Sequence, residues 1–306
     1  MLDILGLRTE LLPPLVTSGE VAGTLTAEAA EHFRLRPELP VAAGAADTAA
    51  AMLGGDLLEP GTLQLTVGTG GQIVTPRNRF APDPHGHTHL YRTSLPRDSE
   101  GPFYAMAAIQ NAGLALEWAC KVLGASWEDV YEEAFAVSPG ADGVVFLPYL
   151  SGERTPHFDP GVRGAWTGLG LGHTRGHLLR AALEGVAFAL REGLEALEAA
   201  GATVEDLRLA GGGTLKKQWR RLLADVLGRQ LRTLPASIAG TASARGAALL
   251  AGMAVGIYRN TADTQILIQD RDSSVVEPEN SDAYEAYYVR YLDLYPRLRP
   301  RDHARS

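Results

Sequence analysis

A single cysteine, Cys120, stands in a chain of 306 residues, inside an apolar helical pattern. One cysteine excludes a disulfide framework and fits a reducing compartment, and without a favourable neighbour it gives little support to a catalytic thiol. No basic run occurs either. Lys and Arg number 28 against 36 Asp and Glu, a net charge of −8, so the electrostatic footprint of a nucleic-acid binder is missing. No apolar run reaches membrane-spanning length, and the N-terminus has neither a basic n-region nor a long apolar h-region; no membrane partner is expected, and the cytoplasm is the natural location. What is present is 45% hydrophobic residues, enough for a proper core in one large domain or two ordinary ones.

The stretch from Val41 to Val74 organises the rest. A short apolar strand runs into small residues, Asp47 sits where a helix begins, and Gly68-Thr69-Gly70-Gly71 turns between Leu63/Leu65/Val67 and Ile73. An Asp at a helix start is by default a cap for free backbone N–H groups. It is also a general base if a hydroxyl and a phosphoryl group meet beside it. The glycine turn is equally open: glycines suit any hairpin because they take positive φ at no steric cost, and the same shape lets backbone N–H groups face phosphate oxygens.

Along the chain, Thr26 caps a helix to Phe33, and strands are expected around Leu90 and from Phe103 to Ala108. His85, His87 and His89 alternate, which suits a metal site on one strand face or a solvated turn. Leu114, Trp118 and Val122 have the spacing of a helix face over 111–123; a short helix follows over 127–136, then a buried strand over 143–148. Glu153 and Arg154 stand in a loop stiffened by prolines and read as a surface ion pair. The longest helix runs from a Thr174 cap to Gly201 with Leu179, Leu183, Val186, Leu190, Leu194 and Leu197 on its core face. Asp206 to Trp219 reads as strand, triple glycine and helix, an anion-accepting arrangement that is neither the P-loop nor the dinucleotide pattern; a tight strand-to-helix crossing explains it equally. Residues 241–254 form a helix so small-sided that a neighbour's backbone or a flat ligand must approach it. A last helix over 282–298 sets Tyr284, Tyr288, Tyr291 and Tyr295 on one face, as core with hydroxyls at the rim.

Gly44-Ala-Ala-Asp47, Thr66-Val-Gly-Thr-Gly70, Leu147-Pro-Tyr-Leu-Ser-Gly-Glu-Arg-Thr-Pro-His157, Leu183-Glu-Gly-Val-Ala187, Ala210-Gly-Gly-Gly213 and Arg245-Gly-Ala-Ala248 occur together and in order. In this the chain resembles the second half of the FGGY-family carbohydrate kinases, nearest to their xylulokinase branch. The resemblance implies an α/β, actin-like ATPase (ribonuclease H-like) fold, a mixed sheet flanked by helices. Residues 1–55 would be the end of an N-terminal sugar-binding domain, and 56–306 the nucleotide-binding domain. By the same resemblance Asp47 is the catalytic base and Gly68, Thr69 and Gly70 lie along the β- and γ-phosphates of ATP. Gly113 contacts nucleotide, and Gly212, Gly213 and the helix start at Lys217 meet the α-phosphate and adenosine. Mg²⁺ accompanies the ATP, and no dedicated protein metal site is expected.

The resemblance also implies ATP-dependent phosphorylation of a small sugar, D-xylulose to D-xylulose 5-phosphate. Ala45 and Ala46 replace two family-typical glycines, and Lys217 stands where a small polar residue is usual. The family's opening phosphate loop and most of its sugar-binding domain have no counterpart here. The chain alone is therefore expected to be inactive, working with a separate N-terminal half, and an exposed interdomain face favours a homodimer. The alternative is a non-catalytic ATP-binding or pseudoenzyme domain; retention of Asp47 speaks for the kinase.

Overall fold

The computed structural model describes residues 2, 4–95, 102–211, 216–234, 240–261, 263 and 273–299. Its first half carries β1 (Val21–Thr24), α1 (Ala27–Phe33), β2 (Pro40–Ala42), α2 (Asp47–Gly54), β3 (Thr62–Val67), β4 (Gly71–Arg77), β5 (His89–Arg92), β6 (Phe103–Ile109), α3 (Gly113–Leu123) and α4 (Trp127–Phe135). Then come β7 (Val145–Leu147), β8 (Ala165–Thr167), α5 (Arg175–Ala199), β9 (Asp206–Ala210), α6 (Lys217–Leu227), β10 (Leu231–Thr233), α7 (Ala242–Ala254), β11 (Ser274–Val276), α8 (Ser281–Leu292) and α9 (Leu294–Leu298). The chain divides into two units, one of Met1–Asp56, Thr93–Gly101 and Thr241–Gln269, the other of Leu57–Arg92, Pro102–Gly240 and Asp270–Ser306.

In the smaller unit β1 and β2 pair antiparallel, and α1 is capped by Thr26 Oγ1, which accepts from Ala29 N at 3.2 Å. Its main packing is α2 on α7. The two helices meet through glycines: a Cβ on Gly246 would lie 1.8 Å from Ala50 O, and one on Gly54 2.0 Å from Ala242 O. The small-sided helix over 241–254 thus receives a neighbour's backbone. Arg245 Nη1 closes the contact by donating to Gly54 O at 2.9 Å.

The larger unit is built on a seven-stranded sheet in the order β11-β10-β9-β3-β4-β6-β5 among the described residues. It is mixed: β9 is parallel to both β10 and β3, and the other neighbours are antiparallel. A mixed sheet flanked by helices is what the family resemblance implies. α5 packs on β6, β7, α3, α4 and α6, and it is buried along nearly its whole length because Leu179, Leu183, Val186, Leu190, Leu194 and Leu197 all turn into the core. Gly185 lets it close on β7, where a Cβ would stand 2.2 Å from Phe146 O. Within the helix Arg180 donates through Nε to Glu184 Oε1 at 2.6 Å and through Nη2 to Tyr284 OH at 2.6 Å; both charges are buried. No described helix is long and apolar enough to cross a membrane.

Three expectations need correction. α3 buries Ala115, Leu116, Ala119 and Cys120, while Leu114, Trp118 and Val122 remain more than a third exposed. Small residues on the inner face let α3 sit close to its neighbours, and Trp118 instead stacks on Trp166 with ring centroids 5.3 Å apart. The last helix divides, α8 ending at Leu292 and α9 beginning at Leu294. Its tyrosine hydroxyls are not all at a rim. Tyr291 is fully buried and donates to Tyr149 OH at 2.9 Å, and Tyr288 donates to Glu195 Oε2 at 2.7 Å.

Candidate functional site

β3 and β4 are joined by the turn Gly68-Thr69-Gly70, closed by Gly68 N donating to Gly70 O at 2.9 Å. The pairing of Val67 with Gly71, Gly71 with Ile109, and Thr66 with Ala210 brings the C-terminal ends of β3, β6 and β9 to one end of the sheet. There the turn rests on α3. Ala112 N and Leu114 N donate to Thr69 O at 3.2 and 2.9 Å, and Gly113 N donates to Gly68 O at 2.9 Å. The Ala112 N-cap offers no side-chain oxygen, so the first N–H groups of the helix are satisfied by the turn itself. Gly113 is required there, because a Cβ would stand 2.5 Å from Gly68 O.

Gly211, just after β9, has φ +100° and lies so close that a Cβ would be 2.3 Å from Val67 O. The sequence reading includes this residue in the triple glycine but assigns the nucleotide contact to the two glycines after it; its positive φ and the closeness of Val67 O are what call for glycine here. Gly212 and Gly213 lie outside the described residues. Lys217 opens α6 and lines a cavity of about 390 Å³ with Phe135, Arg180, Arg221, Asp225 and Tyr284. Gly68, Thr69, Gly70, Gly113 and Lys217 therefore all belong to the larger unit, the first four in direct backbone contact.

Asp47 belongs to the smaller unit. It is the first residue of α2 and not its cap; Ala46 is the cap. Its Oδ1 accepts from Thr48 N at 2.6 Å, and the residue is exposed. One carboxylate oxygen thus serves a first-turn N–H of α2, and the side chain is open to solvent, where a bound hydroxyl can reach it.

Glu153 and Arg154 do not form the expected surface ion pair. Glu153 is 3% exposed, and its Oε1 accepts from Gln110 N at 2.5 Å and Arg154 N at 2.8 Å, while Arg154 Nη2 meets His89 Nε2 at 3.3 Å. Burial pushes the Glu153 carboxyl up to about 7 against the opposing pull of those two amides. His85 and His87 stack on each other in the turn before β5, and His89, the first residue of the strand, lies against Tyr91 and Phe158. The three imidazoles therefore do not share a strand face. Among the described residues no three His, Cys, Asp or Glu side chains gather as a metal would need.

The profile of the FGGY family of carbohydrate kinases, C-terminal domain, matches residues 63–255, and that of the N-terminal domain matches residues 1–54. The chain is 31% identical over 301 residues to a xylulose kinase of Escherichia coli, covering 98% of this chain and 61% of that protein. With a xylulose kinase of Staphylococcus epidermidis it shares 30% over 290 residues, covering 94% and 57%. A solved xyloylose kinase from Brucella ovis superposes with TM-score 0.84 at 34% identity, over 97% of this chain and 60% of that one. The ligand-bound xylulose kinase from Lactobacillus acidophilus gives TM-score 0.86 at 25% identity, over 97% and 59%. The chain thus spans about six-tenths of the length of the relatives it matches.

Proposed function

Because this chain belongs to the FGGY family of carbohydrate kinases, we propose that it carries the nucleotide lobe and the catalytic base of an ATP-dependent sugar kinase. The observation behind this reading is the Gly68-Thr69-Gly70 turn held against the first turn of α3 at three converging strand ends. Gly68 and Thr69 are exposed there, and the backbone of such a glycine turn can face phosphate oxygens. Gly68, Thr69 and Gly70 take the β- and γ-phosphates, and Gly113 borders the nucleotide. Gly212, Gly213 and Lys217 face the α-phosphate and adenosine.

In the reaction Asp47 accepts the proton of a sugar hydroxyl while the hydroxyl oxygen attacks the γ-phosphorus. The bond to the bridging oxygen breaks, leaving sugar phosphate and ADP. Mg²⁺ enters with ATP as part of the substrate and offsets charge on the phosphate oxygens. The acceptor in this reading is D-xylulose, in keeping with the xylulose kinases among the relatives. The location is the cytoplasm, where ATP is plentiful and a lone thiol stays reduced. Since rate depends on positioning both substrates, this chain needs the remainder of the sugar-binding domain and transfers little or no phosphate alone.

The test is phosphorylation of a ketose and polyol panel including D-xylulose, with MgATP binding measured in parallel, for the chain and Asp47→Asn. Binding without transfer is the expected result for the chain alone. Transfer abolished by Asp47→Asn would keep the chemistry and overturn the dependence on a second half; absence of both binding and transfer would overturn the reading.

A further inference from the structure

The loop Tyr149–Pro160 is fastened on both sides. Tyr149 OH donates to Glu192 Oε2 at 2.6 Å, His157 Nε2 lies 3.0 Å from Glu192 Oε1, and Tyr295 OH donates to Asp159 Oδ2 at 3.2 Å. Toward the sheet it grips the end of β6. Thr155 N donates to Ala108 O at 2.9 Å, Ala108 N to Thr155 Oγ1 at 3.0 Å, Asn111 Nδ2 to Gly152 O at 2.6 Å, and Ser151 Oγ to Asn111 Oδ1 at 2.9 Å.

At the centre of this grip is a donor that the sheet leaves unpaired. Pairing of β6 with β4 stops at Ile109 opposite Gly71, so Gln110 N has no strand partner. Its hydrogen bond goes to Glu153 Oε1. Immediately after Gln110 the chain supplies the N–H groups of Ala112, Gly113 and Leu114 that hold Gly68 and Thr69. The turn also leans directly on this connection, since a Cβ on Gly70 would lie 2.8 Å from Ile109 O and 3.4 Å from Gln110 O.

We propose that Glu153 is a positioning residue for the nucleotide turn: by taking the Gln110 amide it fixes the β6–α3 connection on which Gly68, Thr69 and Gly70 rest. This deepens the kinase reading and rests on it. Gln110 itself is exposed and its bond to Glu153 is part-buried, so an amide that loses this acceptor turns to water or to another group. Without the carboxylate the connection relaxes toward another partner and carries α3's first turn with it. The requirement is for reach and an acceptor oxygen, not for charge. Glutamine, with the same length and a carbonyl oxygen, should preserve the bond, and aspartate, one methylene shorter, should not.

The experiment compares the full chain with Glu153→Gln, Glu153→Asp and Glu153→Ala. One readout is hydrogen exchange of the Gln110 amide; the other is calorimetric binding of a magnesium complex of a non-hydrolysable ATP analogue, with melting curves as a folding control. Expected are a protected amide and binding within about threefold of wild type for Glu153→Gln, and for Glu153→Asp a faster-exchanging amide with binding weakened about tenfold, the loss of one hydrogen bond's worth of alignment. Glu153→Ala should resemble Glu153→Asp; if alanine fails to fold, the aspartate and glutamine variants decide. Unchanged exchange in Glu153→Asp, or a glutamine variant as weak as the aspartate one, overturns the proposal. A wild-type chain that binds no nucleotide overturns the reading of the turn instead, and with it the positioning role, while exchange still reports whether Glu153 holds Gln110.

Discussion

Replacing Gly113 by alanine sets two opposite expectations against each other. Helix propensity alone says that an alanine in place of a helical glycine stabilises, by about 0.5–1 kcal/mol. The structure says otherwise. The new methyl carbon would stand 2.5 Å from Gly68 O, 3.2 Å from Gly68 C and 3.6 Å from Thr69 Cα. Reaching an unstrained C···O distance of about 3.3 Å requires an opening of roughly 0.8 Å. The bond from Gly113 N to Gly68 O is 2.9 Å now, and such an opening takes it out of hydrogen-bond range. Overpacking costs about 1–3 kcal/mol and the lost bond about 1 kcal/mol, so after subtracting the propensity gain the variant should be destabilised by about 2 kcal/mol. Urea unfolding followed by circular dichroism measures this, and calorimetry with the ATP analogue should show binding weakened at least about tenfold. A Gly113→Ala chain that is as stable as wild type or more so, and binds equally well, would refute the reasoning, since the turn would then not be held on the helix as described.

Three further outcomes are expected. Glu153, raised by burial to about 7 from an ordinary 4.5, binds more protons folded than unfolded between those values. Stability should therefore fall as pH rises through that window, by about 3 kcal/mol at most, and level off above it; in Glu153→Gln this component should vanish from a pH series of urea melts. Gly246→Ala would press a methyl to 1.8 Å from Ala50 O, so the smaller unit should lose about 3 kcal/mol and become the first region cut in limited proteolysis. Arg180→Ala leaves Glu184 buried without its partner at 2% exposure and should cost about 3–5 kcal/mol, whereas Arg180→Met with Glu184→Leu should recover most of it in thermal melts.

Periodicity carried the fold where one face is apolar over many turns. α5 begins after Thr174 and closes at Gly201, with φ +86°, because capping and burial agree there. It misled at α3, where the large apolar residues are the outer ones: close packing against neighbouring elements needs small side chains, and a hydrophobic count cannot see that Ala115 and Ala119 make the interface. The glycine turn was legible as a motif, but the hydrogen bonds that seat it on α3 join residues more than forty apart and leave no local trace. Glu153 was the plainest miss. Beside Arg154 it reads as a surface charge, and only the end of β6, far away in sequence, reveals an amide in need of an acceptor. Asp47 shows the converse: its place at a helix start was legible, and the structure adds that Ala46 takes the cap position.

The stacked pair of Trp118 and Trp166 gives the chain an optical reporter. Trp118 rides on α3 little more than a turn beyond Gly113, at 38% exposure, against a ring from β8. Indole emission responds to solvent and to a neighbouring ring, so movement at the start of α3 should register as a change in fluorescence without any label. Trp127 sits beyond the far end of α3 and can be removed by Trp127→Phe, while Trp219, buried in the core, adds emission shielded from solvent against which the more exposed Trp118–Trp166 pair is read. A titration in a cuvette could then follow nucleotide occupancy in real time, including in variants whose phosphotransfer is too slow to detect.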